Sequence, residues 1–178
     1  MEVGETNEKK KVYFGLNFYF FMGLSINLLL TTKKTKNISW IASEELLDID
    51  GRLVELKNVS GKRYTILNFW ATWCAPCVEE MPMLSEFHNK TKKEGISVIG
   101  LAIDNEKNVK EFLQKIKVDH HLLVAGGKGT NIMEKIGLNP SNSLPFTIMF
   151  DENYDLLEIK LGKLTLNELL YWVNTAER

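Results

Sequence analysis

The only two cysteines of this chain stand three residues apart, in Trp73-Cys74-Ala75-Pro76-Cys77. They lie at the seam between an apolar stretch, Tyr64 to Ala71, and an amphipathic one that begins at Ala75. No other feature limits the fold so tightly. A strand that turns directly into a helix places the first thiol at a helix N-terminus, where unpaired backbone N–H groups and the helix dipole favour a thiolate. One turn on, Cys77 lies on the same helical face, within reach of a disulfide. Pro76 suits the first turn, where its missing N–H is not needed. The spacing points to thiol–disulfide exchange. A purely structural disulfide and a zinc site are the alternatives, and zinc would need two further close ligands beyond the thiols, with only His88, His120 and His121 on hand.

The chain of 178 residues can hold one sizeable domain plus an appendage. A net charge of -1 gives no reason to expect nucleic acid. The N-terminus differs from the rest: a short tail (1–11) ends in Lys9-Lys10-Lys11, and residues Val12 to Leu30 carry no charge. That run of about 19 residues just suffices to cross a bilayer as a helix. An uncleaved signal anchor over 12–30 is the expectation; a cleaved export signal and a buried core helix are the alternatives. No small-residue cleavage pattern follows it. Lysines flank the run on both sides, so charge alone does not orient it. Short N-terminal tails more often stay inside, which puts the following domain outside the cytoplasm, on the periplasmic side of an inner membrane. A redox cysteine pair fits an oxidising compartment.

Residues 31–42 read as a polar, Lys-rich linker, and the folded domain is expected from Ser43 to the end, 43–178. Asp50-Gly51 between two apolar runs suggests a β-hairpin. Tyr64–Ala71 and Ile96–Ile103 read as buried strands. The helix from Ala75 to Lys93 carries Met81, Leu84 and Phe87 or His88 on its inner stripe, is expected to kink at Pro82, and ends at Gly95. Asp104 or Asn105 can cap a helix carrying Val109, Phe112, Leu113 and Ile116. A glycine-rich turn, Gly126 to Gly129, precedes a short helix that Gly137 can end. Phe146–Phe150 and Leu156–Leu161 read as strands, and Thr165 with Glu168 forms a capping box for a last helix whose apolar face is Leu166, Leu169, Leu170 and Val173. This order argues for an α/β fold with a mixed central sheet flanked by helices on both faces.

Asn68-Phe69-Trp70-Ala71-Thr72-Trp73-Cys74-Ala75-Pro76-Cys77, with Glu80 and Pro82, closely resembles the TlpA/ResA-type branch of thioredoxin-like proteins. Leu144-Pro145-Phe146-Thr147 is similar to that family's cis-proline site. The resemblance runs from the hairpin to the last helix. It implies a thioredoxin-like fold with Cys74 as nucleophile and Cys77 as resolving thiol, matching the order that helix position gives. It implies an acid role for Glu80, which lies one turn past Cys77, whereas neighbouring Glu79 reads as solvated. Thioredoxins carry a buried aspartate where this chain has Asn68, which cannot shuttle a proton at neutral pH; this points further to Glu80. Pro145 is expected to be cis and to sit against the cysteines, with the backbone of Leu144 offered to an extended substrate strand. Trp73 and Pro76 are expected at the substrate-facing surface, and Trp70 within the sheet.

The implied activity is a membrane-anchored thiol–disulfide oxidoreductase that reduces particular protein disulfides. The redox-active pair itself serves, with no separate cofactor and no metal. Family members often act in cytochrome c or oxidase maturation, and a reductase would need a membrane electron donor. The direction depends on a reduction potential that sequence does not set. Two rivals stay open. A peroxiredoxin-type peroxidase needs a Thr or Ser three residues before its cysteine, where this chain has Ala71. An assembly module could hold Cu(I) between the thiols. His120-His121 reads as surface or packing, since adjacent strand residues point to opposite faces, and the Gly126–Gly129 turn lacks the Walker pattern of a phosphate loop.

Overall fold

The computed structural model describes residues 35–177. The expected tail, membrane helix and start of the linker (31–34) lie outside them. Among the described residues no helix is long and apolar enough to cross a membrane.

The core is one eight-stranded mixed sheet in the order β1-β8-β7-β4-β5-β6-β2-β3. Its strands are β1 (Lys36–Asn37), β2 (Glu45–Asp48), β3 (Leu53–Glu55), β4 (Tyr64–Trp70), β5 (Ile96–Ala102), β6 (His121–Val124), β7 (Phe146–Asp151) and β8 (Asp155–Leu161). The helices are α1 (Ala75–Thr91), α2 (Glu106–Leu113), α3 (Gly127–Ile136) and α4 (Leu166–Ala176). The central pair β4–β5 is parallel and joined through α1; β7 lies antiparallel on the other side of β4. Both central strands are buried at almost every position because both faces are covered, and most of their residues are apolar. Ile66, Val98 and Met149 pack against α1 and α4, while Trp70, Ala102 and Leu122 meet Met81 of α1 and Val109 of α2. Leu67, Phe69, Ile99 and Leu101 face the other way, onto Ile132, Met133 and Ile136 of α3.

Local signals explain most ends. α1 runs on through Pro82 to Thr91, followed by a 3₁₀ turn, and Gly95 closes it with a left-handed φ of 83°. Asn105 caps α2 by accepting the N–H of Asn108, and Thr165 and Glu168 form the reciprocal box that starts α4. β2 and β3 pair antiparallel around Asp50-Gly51, and β2 also joins the main sheet through β6.

Three boundaries differ from the sequence reading. The fold starts before Ser43: β1 pairs with β8, and Ile38 and Ile41 are fully buried within the expected linker. The partner strand of β1 lies more than a hundred residues away, so no local periodicity marks this start. Gly127 to Gly129 form the first turn of α3 and not a preceding turn. In α4 Leu169 and Trp172 are buried and Val173 is half-buried against the same cluster, whereas Leu166 and Leu170 stay 43% and 46% exposed, because the stripe is rotated toward the side that meets α1.

Candidate functional site

β4 delivers its chain end into the start of α1, and this seam builds the site. Cys74 is the N-cap of α1, in extended backbone, with its N–H donated to Ala71 O (3.1 Å) and its carbonyl accepting from Val78 N–H (3.1 Å). Cys74 and Cys77 form a disulfide, with Cα atoms 5.3 Å apart. Cys77 is sealed beneath, and the outer cysteine keeps only 6% exposure. Beside them Trp73 projects into solvent, 70% exposed, and Pro76 is exposed on the first helical turn. Trp70 is fully buried in the sheet and packs with both cysteines. The Leu144–Pro145 peptide is cis, Pro145 is buried, and Leu144 packs against the cluster that holds the cysteines.

Glu80 points inward from α1 and is 1% exposed. Its Oε1 accepts from Asn68 Nδ2 (2.8 Å) and its Oε2 from the Leu164 N–H (2.6 Å). Asn68 also donates to Thr147 Oγ1 (2.9 Å), across the β4–β7 register that sets Asn68 beside Thr147. Burial pushes the Glu80 carboxyl above the ordinary range; the two donors and the nearby Lys163 charge pull the other way without cancelling it. Glu79, one residue earlier, is 62% exposed on its side chain and pairs with Lys163 at 2.7 Å. The arrangement can therefore hold a proton at a buried carboxyl one turn from the inner thiol.

Sequence reasoning named Asp104 only as a possible helix cap and Thr147 only within the proline motif, and missed that both support the site. Asp104, in the loop after β5, accepts from the N–H (3.2 Å) and hydroxyl (2.5 Å) of Thr72, and also from Asn105 N–H and Asn108 Nδ2. It pins the turn that presents Cys74. Thr147 completes the Asn68–Glu80 cluster. Both make their decisive contacts across strands, where linear spacing carries no signal. No grouping of three or more His, Cys, Asp or Glu side chains suited to a metal occurs among the described residues.

A family model described as Redoxin matches residues 32–169. The chain belongs to the redoxin family. Curated relatives narrow this further. The chain is 37% identical over 123 residues to the thiol-disulfide oxidoreductase ResA of Bacillus cereus, covering 68% of each. It is 35% identical over the same span to that of Bacillus anthracis, again 68% of each. The solved thioredoxin-related protein of Neisseria meningitidis serogroup B superposes with a TM-score of 0.65 at 29% identity, over 75% of this chain and 98% of that one. StoA of Bacillus subtilis shares the fold, with a TM-score of 0.59 at 19% identity over 73% and 95%. The chain is thus a redoxin-family thiol–disulfide oxidoreductase of the ResA type with a thioredoxin-like fold and a Cys74–Cys77 pair.

Proposed function

We propose that this redoxin works outside the cytoplasm, tethered to the membrane by residues 12–30, as a reductant of particular protein disulfides. The supporting observation is the placement of Cys74 at the start of α1 over a sealed Cys77. In the reduced enzyme the Cys74 thiolate attacks one sulfur of a substrate disulfide and displaces the other as a thiolate. Cys77 then attacks Cys74 Sγ, the mixed disulfide breaks, and the substrate leaves with both thiols reduced. The two electrons come from the Cys74–Cys77 dithiol, which ends as the disulfide. A membrane electron donor restores it. Glu80 holds or takes the proton that Cys77 exchanges, and its raised proton affinity and position one turn away suit that task.

Trp73, Pro76, Leu144 and Pro145 form the substrate face in this reading. Trp73 gives an exposed aromatic anchor beside the outer sulfur. The backbone of Leu144 is set to pair with an extended substrate segment. Cytochrome c or oxidase maturation, in which proteins resembling this one serve, is the proposed setting. The dithiol is the whole redox group, with no added cofactor.

The test is a pair of variants. Cys74→Ser is expected to abolish disulfide reduction, and Cys77→Ser to accumulate mixed disulfides whose partner proteins can be identified. Full exchange by both variants would overturn the assignment. The reduction potential of the pair, set against that of the trapped partner, gives the direction.

A further inference from the structure

The pole of the sheet opposite the cysteines carries a second constellation. β5 is seven residues long, which separates its two ends by about 20 Å. At the Ile96 end lies an open cavity of about 570 Å³, lined by Lys62, His88, Lys92, Lys93, Asp119 and His121 among others. The thiol chemistry uses none of these.

His88 is the buried member, 5% exposed. Its Nδ1 accepts the Val98 N–H at 3.1 Å. A ring nitrogen that accepts is unprotonated, so Nε2 carries the proton and is a donor. The His88 and His121 rings form a T-shaped pair, with centroids 5.2 Å apart. Such a pair could suggest a metal, but the proton on His88 Nε2 occupies the lone pair a metal would need. The electrostatics favour the opposite charge. Lys92 lines the same cavity as both imidazoles, and its positive charge bears on them. Its Nζ donates to Asn89 Oδ1 at 2.9 Å, which leaves donors to spare. Lys62 and Lys93 add positive charge, and neither is in an ion pair among the described residues. The one carboxylate of the lining, Asp119, is engaged by Lys117 (3.2 Å) and Asn89 Nδ2 (3.4 Å). The cavity is donor-rich and cationic, with its single acid already matched.

We propose that this cavity binds a small oxyanion, phosphate in particular, held by the Nε2–H of His88, the ammonium of Lys92 and the ring of His121. A tetrahedral oxyanion supplies several acceptors to the donors that line this one cavity, and each contact made to a charged donor is a strong one.

The experiment titrates the full chain with sodium phosphate at neutral pH, against sodium chloride at equal ionic strength. Calorimetry reads binding, and the histidine ring protons in NMR locate it. Saturable binding to phosphate and not chloride is expected, with shifts at His88 and His121. Lys92→Gln and His121→Asn, both at exposed positions, are each expected to weaken it at least tenfold while Cys74 reactivity stays unchanged. Lys110→Gln, on α2, is expected to leave binding intact. Absence of phosphate-specific binding in the unaltered protein overturns the proposal. So does binding that survives both cavity variants, which would mark an adventitious ion elsewhere on the surface.

Discussion

Asn68 donates its side-chain N–H to Glu80 Oε1 at 2.8 Å, and both residues are buried to within 1% of completely. The carboxyl thus sits in a low-dielectric setting with two donors, the other being the backbone of Leu164. Two hydrogen bonds are fewer than the lone pairs of a carboxylate can use, so burial wins and the proton is held more tightly than in water. Asn68 Oδ1, meanwhile, has no partner among the described residues. A rotated Asn68 amide would present that oxygen to a protonated Glu80, at the cost of taking its N–H groups from the Glu80 and Thr147 acceptors.

Replacing Glu80 by Gln removes the titration and keeps the shape. The raised proton affinity means that native Glu80 binds its proton more tightly than the unfolded chain does. Its contribution is fully present below about 4.5, the ordinary carboxyl value, and is lost as pH rises through the raised one. Glu80→Gln is expected to flatten the stability curve above that value and to remove one limb from the pH profile of disulfide exchange. Urea melts and alkylation rates between pH 4 and 9 check both; unchanged profiles would return Glu80 to a packing role.

Asn68→Asp places a second carboxyl beside Glu80 inside the sheet. Two buried acids at hydrogen-bond distance cannot both ionise cheaply, so they titrate as a pair, with one proton retained to high pH. Stability is expected to drop by about 3 kcal/mol at alkaline pH, the scale of an uncompensated buried charge, and to recover on acidification. Denaturant melts at pH 5 and pH 8.5 would show the difference, and equal stability at the two would contradict it.

Three histidines give the domain an acid limit. Burial depresses His88 to about 4 and His120 to about 3, and partial desolvation with the Lys92 charge lowers the more exposed His121. All three are neutral in the native state at pH 7. The stability they confer is complete above about 6.5, where unfolded histidine is also neutral, and drains away as pH falls from there toward 4 and then 3. Stability is expected to fall between pH 6.5 and 4.5 with uptake of protons on unfolding. Replacing His120 by Gln, which can still meet Ser85, is expected to shallow that slope. A slope unaltered by the change would place the protons elsewhere.

Asp104 holds the active turn through Thr72 and also binds Asn105 and Asn108. Its carboxyl lies below the ordinary range: burial pushes it up, but the bonds from Thr72, Asn108 and Asn105 together outweigh that. Asp104→Ala leaves those donors unmatched, with an expected cost of about 2 kcal/mol and slower exchange at Cys74 with the disulfide still able to form. Parallel denaturation and thiol-reactivity measurements separate the two effects; full reactivity in the variant would mean the turn is held without Asp104.

What the sequence made legible is local. The cysteine spacing, the Asn105 and Thr165 caps and the alternation of apolar runs with amphipathic ones all act within a few residues, and each appears in the structure where the spacing puts it. What stayed hidden depends on distant partners. Asp104 reaches Thr72 across adjacent strand ends, and the cationic cavity at the far pole gathers residues from separate segments between Asn58 and His121. The exposed Leu166 and Leu170 of α4 show the converse, since an apolar residue at helical spacing faces inward only if a neighbour is there to cover it.

Ile38 carries this point to a measurable end. Its N–H donates to Tyr154 O at 2.9 Å, and its side chain is wholly inside the cluster that also holds Ile41, Phe146 and Phe150. The segment before Ser43 therefore closes the edge of the sheet beside β8. Deleting a buried isoleucine side chain to alanine costs roughly 2–5 kcal/mol, the lost transfer energy plus the cavity left behind. Ile38→Ala is expected to fall in that range by urea denaturation, and a fragment beginning at Ser43 to lose at least as much, since it forfeits Ile41 and the β1–β8 pairing too. A Ser43 fragment as stable as the chain from Thr35 would mean that these residues lie on the domain without supporting it.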